Sequence, residues 1–364
     1  MTPSTQNSHA SYTVAILCAM NVERNAVRYM LDEEHPNLKT QSRDPNCYTL
    51  GKMQGHNVVL ACLPGQQGKG AAATVATNMS RSFPSIKWRL FVGIGGGVPS
   101  DDHDIRLGDV VISMPEGKHG GVVQYDLGKQ TSSGFEMKGD IRQPPTLLMN
   151  AAQKMQSDHI GQDNKIGEYL ETMFKKWPRT AIYKKPSEAD LLFRADSQHP
   201  PNAVICTRNG DVPSVIQRQP RLFEGPEIHY GLIASGDSVI KDAVARDDIV
   251  RRVGYPVLCF EMEAAGLMTE YEALVIRGIS DYADAHKAQG WQCYASATAA
   301  ACAKELLSYI DPEEAAEDEA AEAEAVEAEP ADSPGPRVTG GMVFHGRGVQ
   351  NSGNFSVGGN YSVR

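Results

Sequence analysis

The segment Phe260-Glu261-Met262-Glu263-Ala264-Ala265-Gly266 and, a little further on, Arg277-Gly278-Ile279-Ser280-Asp281 each place acids just after an apolar run. Val257 to Phe260 and Ala273 to Ile279 read as buried parallel strands, and α/β sheets put their chemistry at the carboxyl ends of such strands. Glu263 and Asp281 are expected to project from adjacent strand ends into one cleft. Two carboxyl groups there suit two tasks: one, ionised, grips hydroxyls, and the other, protonated, donates to a leaving group. Taken singly, each segment also fits acids that merely complement a helix N-terminus. Two in one cleft favour chemistry.

The elements that carry these groups follow from the hydrophobic pattern. Tyr12 to Cys18 is a first strand, followed by a helix from Met20 to Leu31. Tyr48 to Met53 and Val58 to Leu63 form a hairpin pair, Gly70 to Ser82 an Ala-rich helix, and Val110 to Met114 a further strand. Arg89 to Val92 leads as a strand into the loop Gly93-Ile94-Gly95-Gly96-Gly97. Residues 150–225 are expected to be less regular, rich in prolines and in bases that include Lys184, Lys185, Arg194 and Arg208. Regular structure returns at Gly231 to Asp237, with a helix over Ser238 to Ala245 and a last helix over Trp291 to Tyr309. Strands alternating with helices predict a three-layer α/β domain over residues 12–311, preceded by a polar, disordered stretch over 1–11.

Seven cysteines lie scattered, with no Cys-x-x-Cys and no histidines at zinc-finger spacing. They predict neither a disulfide framework nor a structural metal, but small buried hydrophobes in a reducing cytoplasm. No membrane span and no secretory leader is expected. The net charge of −10 is local: residues 313–332 hold ten acids and no base, which leaves 35 acids against 32 Lys and Arg in residues 1–312. Nothing in that balance suggests a nucleic-acid surface. Residues 312–337 therefore read as an acidic Glu/Ala-Pro linker. Beyond it, Gly353-Asn354-Phe355-Ser356-Val357 recurs as Gly359-Asn360-Tyr361-Ser362-Val363. Alternating apolar and polar residues without acids suit strands that stack between chains, so residues 338–364 are expected to be a β-prone, amyloid-like assembly motif.

Two glycine-rich stretches invite a nucleotide-binding reading. Gly65-Gln66-Gln67-Gly68-Lys69-Gly70 lacks P-loop spacing, and Ala71 replaces the metal-binding hydroxyl. Gly93 to Gly97 leads into Val98-Pro99-Ser100 and not into a helix, against a dinucleotide fingerprint. Clustered glycines after a strand still permit close backbone approach to a ligand, and they are expected to form one wall of the cleft.

Five segments, in order, resemble the nucleoside phosphorylase and nucleosidase superfamily, which includes purine nucleoside phosphorylases and methylthioadenosine/S-adenosylhomocysteine nucleosidases. They are Cys18-Ala19-Met20-x-x-Glu23, Gly93 to Gly97, Ala234-Ser235-Gly236-Asp237, Glu261-Met262-Glu263 and Ser280-Asp281. The body looks most like the version in fungal immune-receptor-like proteins, and the tail resembles their short amyloid signalling motifs. The resemblance implies a nucleoside phosphorylase-like fold with a mixed central sheet, no cofactor and no metal. It implies that Asp281, oriented by Ser280, protonates N7 of a purine; that Glu263 holds the ribose hydroxyls; and that Met262 packs under the sugar. Glu23 matches the acid that activates water in nucleosidases, with Arg277 placing that water or balancing the carboxylates. Glu261, Ile94, Gly95, Gly96 and Ser235 belong to the substrate-binding walls.

Departures from the family pattern choose the nucleophile. Phe91 and Ile94 stand where phosphorylases carry an arginine and a hydroxyl, and a carboxylate at Glu23 repels phosphate, so hydrolysis is expected. Lys184, Lys185 and Arg194 are expected to receive 5′-phosphates, which brings adenine nucleotides, including ATP, among the substrates. The expected function is therefore purine N-glycosidic hydrolysis as an immune or cell-death effector. The alternatives are a phosphate-dependent phosphorylase and an inert nucleoside-binding module. The expected partners are further copies of the chain and an NLR-like protein with a similar tail.

Overall fold

Short β-branched runs build one large sheet in the computed structural model, which describes residues 7–39, 41–139, 141–197, 214–286 and 289–312. In chain order the elements are β1 (Val14–Cys18), α1 (Asn21–Met30), β2 (Glu33–His35), β3 (Tyr48–Met53), β4 (His56–Cys62), α2 (Lys69–Ser82) and β5 (Trp88–Gly97). There follow β6 (Val110–Ser113), β7 (Val122–Gln124), β8 (Gly128–Thr131), β9 (Gly134–Met137), α3 (Thr146–Asp158) and α4 (Ile166–Lys176). The last are β10 (Ile228–Ser235), α5 (Ala243–Val253), β11 (Val257–Glu261), α6 (Ala264–Glu270), β12 (Leu274–Asp281) and α7 (Gln292–Leu307). The described residues all belong to one unit. The acidic linker from residue 313 onward and the repeat-bearing tail lie outside them.

The strands run in the order β11-β10-β6-β12-β5-β1-β4-β3-β2, with β7 beside β10. β11 also meets β5, so that β5, β12, β6, β10 and β11 close into a ring. The sheet is mixed: β5 is parallel to β1 and β12, whereas β12 is antiparallel to β6 and β11 is antiparallel to β5. All five residues of β1 are buried, as expected for a strand covered on both faces. α7 packs on β5, β6 and β12 and against α1, α3 and α4. Fourteen of its residues are buried, and a helix apolar all round belongs in a core. α2 packs instead with α6.

Several expectations need correction. β11 and β12 are not neighbours; each pairs with β5, β12 along most of its length and β11 only at Gly96 and Gly97. Their ends therefore meet across the glycine-rich end of β5, and those glycines are strand and not loop. The stretch over 150–225 contains α3 and α4, whose buried residues Leu148, Ala151, Ala152, Met155 and Ile166, Leu170, Met173 recur at helical spacing. The helix expected from Ser238 begins only at Ala243. Asp242 caps it by accepting the Val244 and Ala245 N–H groups at 2.8 and 3.2 Å, and Gly254 closes it at φ 75°. Among the described residues no helix is long and apolar enough to cross a membrane.

Candidate active site

The carboxyl ends of β1, β5, β11 and β12 converge on one cavity of about 170 Å³. Glu23, Glu261, Glu263 and Asp281 all reach it, together with Met20, Ile94, Gly95, Gly96, Met262 and Ser280. The sequence pattern named these residues; the ring closure of the sheet is what gathers them.

Glu23 lies in the first turn of α1 and folds back on its own helix start. Its Oε2 accepts the Ala19 and Met20 N–H groups, both at 2.8 Å, and its Oε1 accepts the Ile94 N–H at 2.8 Å. The side chain of Ile94 thus offers no polar group, while its backbone holds the acid in place. Burial pushes the Glu23 carboxyl up from its ordinary value, against the pull of Arg277 and the three N–H donors.

Arg277 is, among the described residues, the one cation in the midst of these acids. Fully buried on β12, it lies over the Phe91 ring at 4.2 Å, donates to Glu261 at 2.6 Å and approaches Glu263 at 3.9 Å. Phe91, where the phosphorylase pattern has an arginine, is therefore the floor under this guanidinium. Gly93 supplies the room: a Cβ there would fall 2.1 Å from Arg277 Nη1 and 2.6 Å from Glu23 Oε1. Glu261 also accepts the N–H groups of Glu263 and Ala264 at 3.1 and 2.9 Å. Its full set of partners makes it the brace of the turn that presents Glu263. Glu263 itself meets the Gly68 N–H at 3.3 Å. Burial first, then the negative Glu261, push its carboxyl up to about 7.

Asp281 is re-aimed by a bulge. Ile279 pairs with Gly95 and Asp281 with Gly96, which leaves Ser280 as the extra residue. Asp281 Oδ1 accepts the Ala283 N–H at 2.9 Å, and the Ser280 hydroxyl lies 3.1 Å from Oδ2 and 3.4 Å from the Gly95 carbonyl. A Cβ on Gly96 would crowd Asp281 Oδ1 at 2.9 Å. Ala283 holds φ at +51°, a conformation that costs a non-glycine residue about 1–3 kcal/mol and that clusters at functional sites.

Other expected residues fall elsewhere. Ser235 is buried away from the cavity wall and accepts the Ala265 N–H at 2.9 Å, which fixes the start of α6. Lys184, Lys185 and Arg194 are exposed and do not line the cavity. Lys184 lies over the Phe174 ring at 5.6 Å, and Arg194 pairs with Asp196 at 3.2 Å; Arg208 lies outside the described residues. The residues that were missed are Ser238, Val239, Ile240, Phe260, Ala283 and Gln292, which also line the cavity. Val239 and Ile240 were hidden by the helix expected over them. Gln67, from the first glycine-rich stretch, does form a wall. Lys69 anchors that loop by bridging Asp126 at 2.7 Å and Asp237 at 3.2 Å. Among the described residues no group of His, Cys, Asp and Glu is arranged to hold a metal ion.

No family model matches the chain. A nucleotide-binding leucine-rich repeat (NLR)-like protein of Hyaloscypha variabilis is 43% identical over 304 residues, 83% of this chain; the chain spans only 30% of that relative's length. Among solved structures, the 5′-methylthioadenosine/S-adenosylhomocysteine nucleosidase of Neisseria meningitidis is 20% identical, with a TM-score of 0.52 over 82% of this chain and 99% of that one. The nucleosidase of Colwellia psychrerythraea, solved with adenine, is 17% identical with a TM-score of 0.54, over 84% and 98% of the two chains. Futalosine hydrolase of Helicobacter pylori is 16% identical with a TM-score of 0.52, over 83% and 100%. The chain therefore has the nucleoside phosphorylase-like fold that these proteins share.

Proposed function

We propose that the chain hydrolyses the N-glycosidic bond of purine nucleosides or nucleotides. The observation that carries this reading is the convergence of Glu23, Glu263 and Asp281 on one cavity that no described Lys or Arg lines. A phosphorylase must hold a phosphate anion beside the anomeric carbon, and a wall of carboxylates opposes that. The solved neighbours named for nucleosidase and hydrolase activity support the same class.

Asp281 delivers a proton to N7 as the C–N bond breaks, so the base leaves neutral. Glu263 accepts from the ribose hydroxyls, and Met262 packs beneath the sugar. Phe260, Val239 and Ile240 give the base an apolar wall. Glu23, fixed by three N–H donors, takes one proton from the attacking water, whose oxygen bonds to C1′. Arg277 does not touch this water in the proposal; it keeps three acids from repelling one another. The test is product analysis with adenosine, inosine, methylthioadenosine and ATP, with and without phosphate. Free base with ribose or ribose phosphate, at a rate independent of phosphate, is expected. Strict phosphate dependence with ribose 1-phosphate as product refutes the hydrolase reading.

We also propose an effector role in immunity, supported by the NLR-like relative. Residues 338–364 would then assemble with further copies and with an NLR-like partner carrying a similar motif. A peptide of these residues should form cross-β fibrils; one that stays monomeric, with or without seeds, removes the assembly role.

A further inference from the structure

The turn after β12 holds a non-glycine residue in the left-handed region. Ala283 has φ +51°, a conformation that favours glycine and that relaxes when the preceding peptide flips. That peptide joins Tyr282 to Ala283, and both of its ends are engaged. Its N–H donates to Asp281 Oδ1 at 2.9 Å, and its carbonyl accepts from Arg246 Nη1 at 2.8 Å. In a planar trans peptide these two groups point in opposite directions and turn together. A flip that relieved Ala283 would swing the N–H off Asp281 and bring a carbonyl oxygen toward the same carboxylate.

Arg246 reaches this peptide from α5. It is 8% exposed, and its Nε donates to Asp247 Oδ1 at 2.7 Å. Tyr282 is anchored separately: its hydroxyl donates to Asp190 Oδ1 at 2.5 Å, and Asp190 accepts from Arg218 Nη2 at 2.7 Å. With the Tyr282 side chain tied down, the turn relaxes by rotating the peptide and not by moving the chain. On Asp281 the Ala283 N–H holds one carboxyl oxygen and the Ser280 hydroxyl, 3.1 Å away, the other. Together they fix the plane of the carboxyl. Arg246 does not line the cavity, so whatever it does for the chemistry passes through this turn.

We propose that Arg246 is a positioning residue for Asp281: it holds the Tyr282–Ala283 peptide in the orientation that turns its N–H onto Asp281, and so aims that carboxyl at the leaving base. The proposal rests on the reading of Asp281 as the acid of the reaction. A guanidinium suits the task because a hydrogen bond from a charged donor is strong enough to oppose the relaxation of a left-handed alanine.

The experiment uses the full chain with adenosine, and Arg246→Met, Arg246→Lys and Ala283→Gly singly and combined. Arg246→Met removes a charge-assisted hydrogen bond and should lower kcat for purine release by about 10- to 100-fold, with KM within about twofold of wild type. Arg246→Lys, which keeps the charge and a donor, should lose less. Glycine takes a left-handed φ without strain, so in the Ala283→Gly background the Arg246→Met loss should be at least about threefold smaller. An equal loss in both backgrounds, or one carried by KM, makes Arg246 a plain tie between α5 and the end of β12 and overturns the proposal. Should Arg246→Met fail to fold, the Arg246→Lys loss is compared across the same two backgrounds.

Nuclear magnetic resonance reads the peptide itself. Tyrosine labelled with ¹³C at its carbonyl, combined with ¹⁵N-alanine, selects Tyr-Ala peptides, and the sequence has two, Tyr282–Ala283 and Tyr294–Ala295. In Arg246→Met the Ala283 N–H should exchange with solvent at least about 10-fold faster, while that of Ala295, inside α7, keeps its wild-type rate. An unchanged Ala283 amide overturns the proposal. If Asp281→Asn releases base at the wild-type rate, or if no substrate yields base, the reading of Asp281 as the acid fails by itself. The Ala283 exchange rate then decides Arg246: acceleration upholds its hold on the peptide, and an unchanged rate overturns it.

Discussion

Replacing Glu263 with Gln should stabilise the protein, and the gain should grow with pH. The carboxyl is 5% exposed, has Glu261 two residues away in the same turn, and is pushed from 4.5 up to about 7. Between those two values the folded protein holds a proton that the unfolded chain has released. Stability therefore falls as pH rises from about 4.5 and levels off above about pH 7. The interval corresponds to about 3 kcal/mol. Gln carries no titrating proton and keeps the shape of the neutral acid, including an oxygen for the Gly68 N–H. The variant and the wild type should match near about pH 4, and the variant should lead by about 3 kcal/mol near about pH 8. Urea unfolding of both proteins across this range measures the difference, in which most other titrations cancel. A difference that stays constant with pH, or a variant that is the weaker at alkaline pH, refutes the idea that Glu263 is an acid held out of its ordinary range. The same substitution removes a charged acceptor from the proposed ribose subsite, so added stability should come with weaker substrate binding.

Asp281→Asn keeps the acceptor for the Ala283 N–H but cannot supply a proton; kcat for purine release should fall on the order of 10²–10⁴-fold, with an unchanged urea midpoint. Arg277→Met leaves Glu23, Glu261 and Glu263 buried around a neutral side chain. It should cost about 3–5 kcal/mol near neutral pH, and acidification, which lets these acids take up protons, should recover part of the loss in the same unfolding assay.

What the chain order alone determined was most of the strands and several of the residues that reach the cavity. Glu23, Glu263, Ser280 and Asp281 were legible because each follows an apolar strand, and a strand of the α/β kind delivers its next residues to one edge of the sheet. β1, β3, β6, β11 and β12 were read close to their observed limits for the same reason: buried strands are short, continuous apolar runs. The acidic Glu/Ala stretch and the tail repeat are properties of sequence and needed no fold to be seen.

Which strands lie side by side was decided only in three dimensions. Pairing of β5 with both β11 and β12 depends on residues more than a hundred positions apart, and no local pattern records it. The glycines of β5 gain their meaning there: Gly93 leaves room for Arg277 and Glu23, and Gly96 for Asp281. Roles within the acid cluster were decided in the same way. Glu261 and Glu263 are alike in sequence, yet Arg277 and two backbone N–H groups saturate the first, while burial and the negative Glu261 push the carboxyl of the second up to about 7. Cations were the least legible of all. Lys184, Lys185 and Arg194 are charged in a basic stretch, but long side chains on a surface turn to solvent. Composition counts charges; only packing decides which of them remain unanswered.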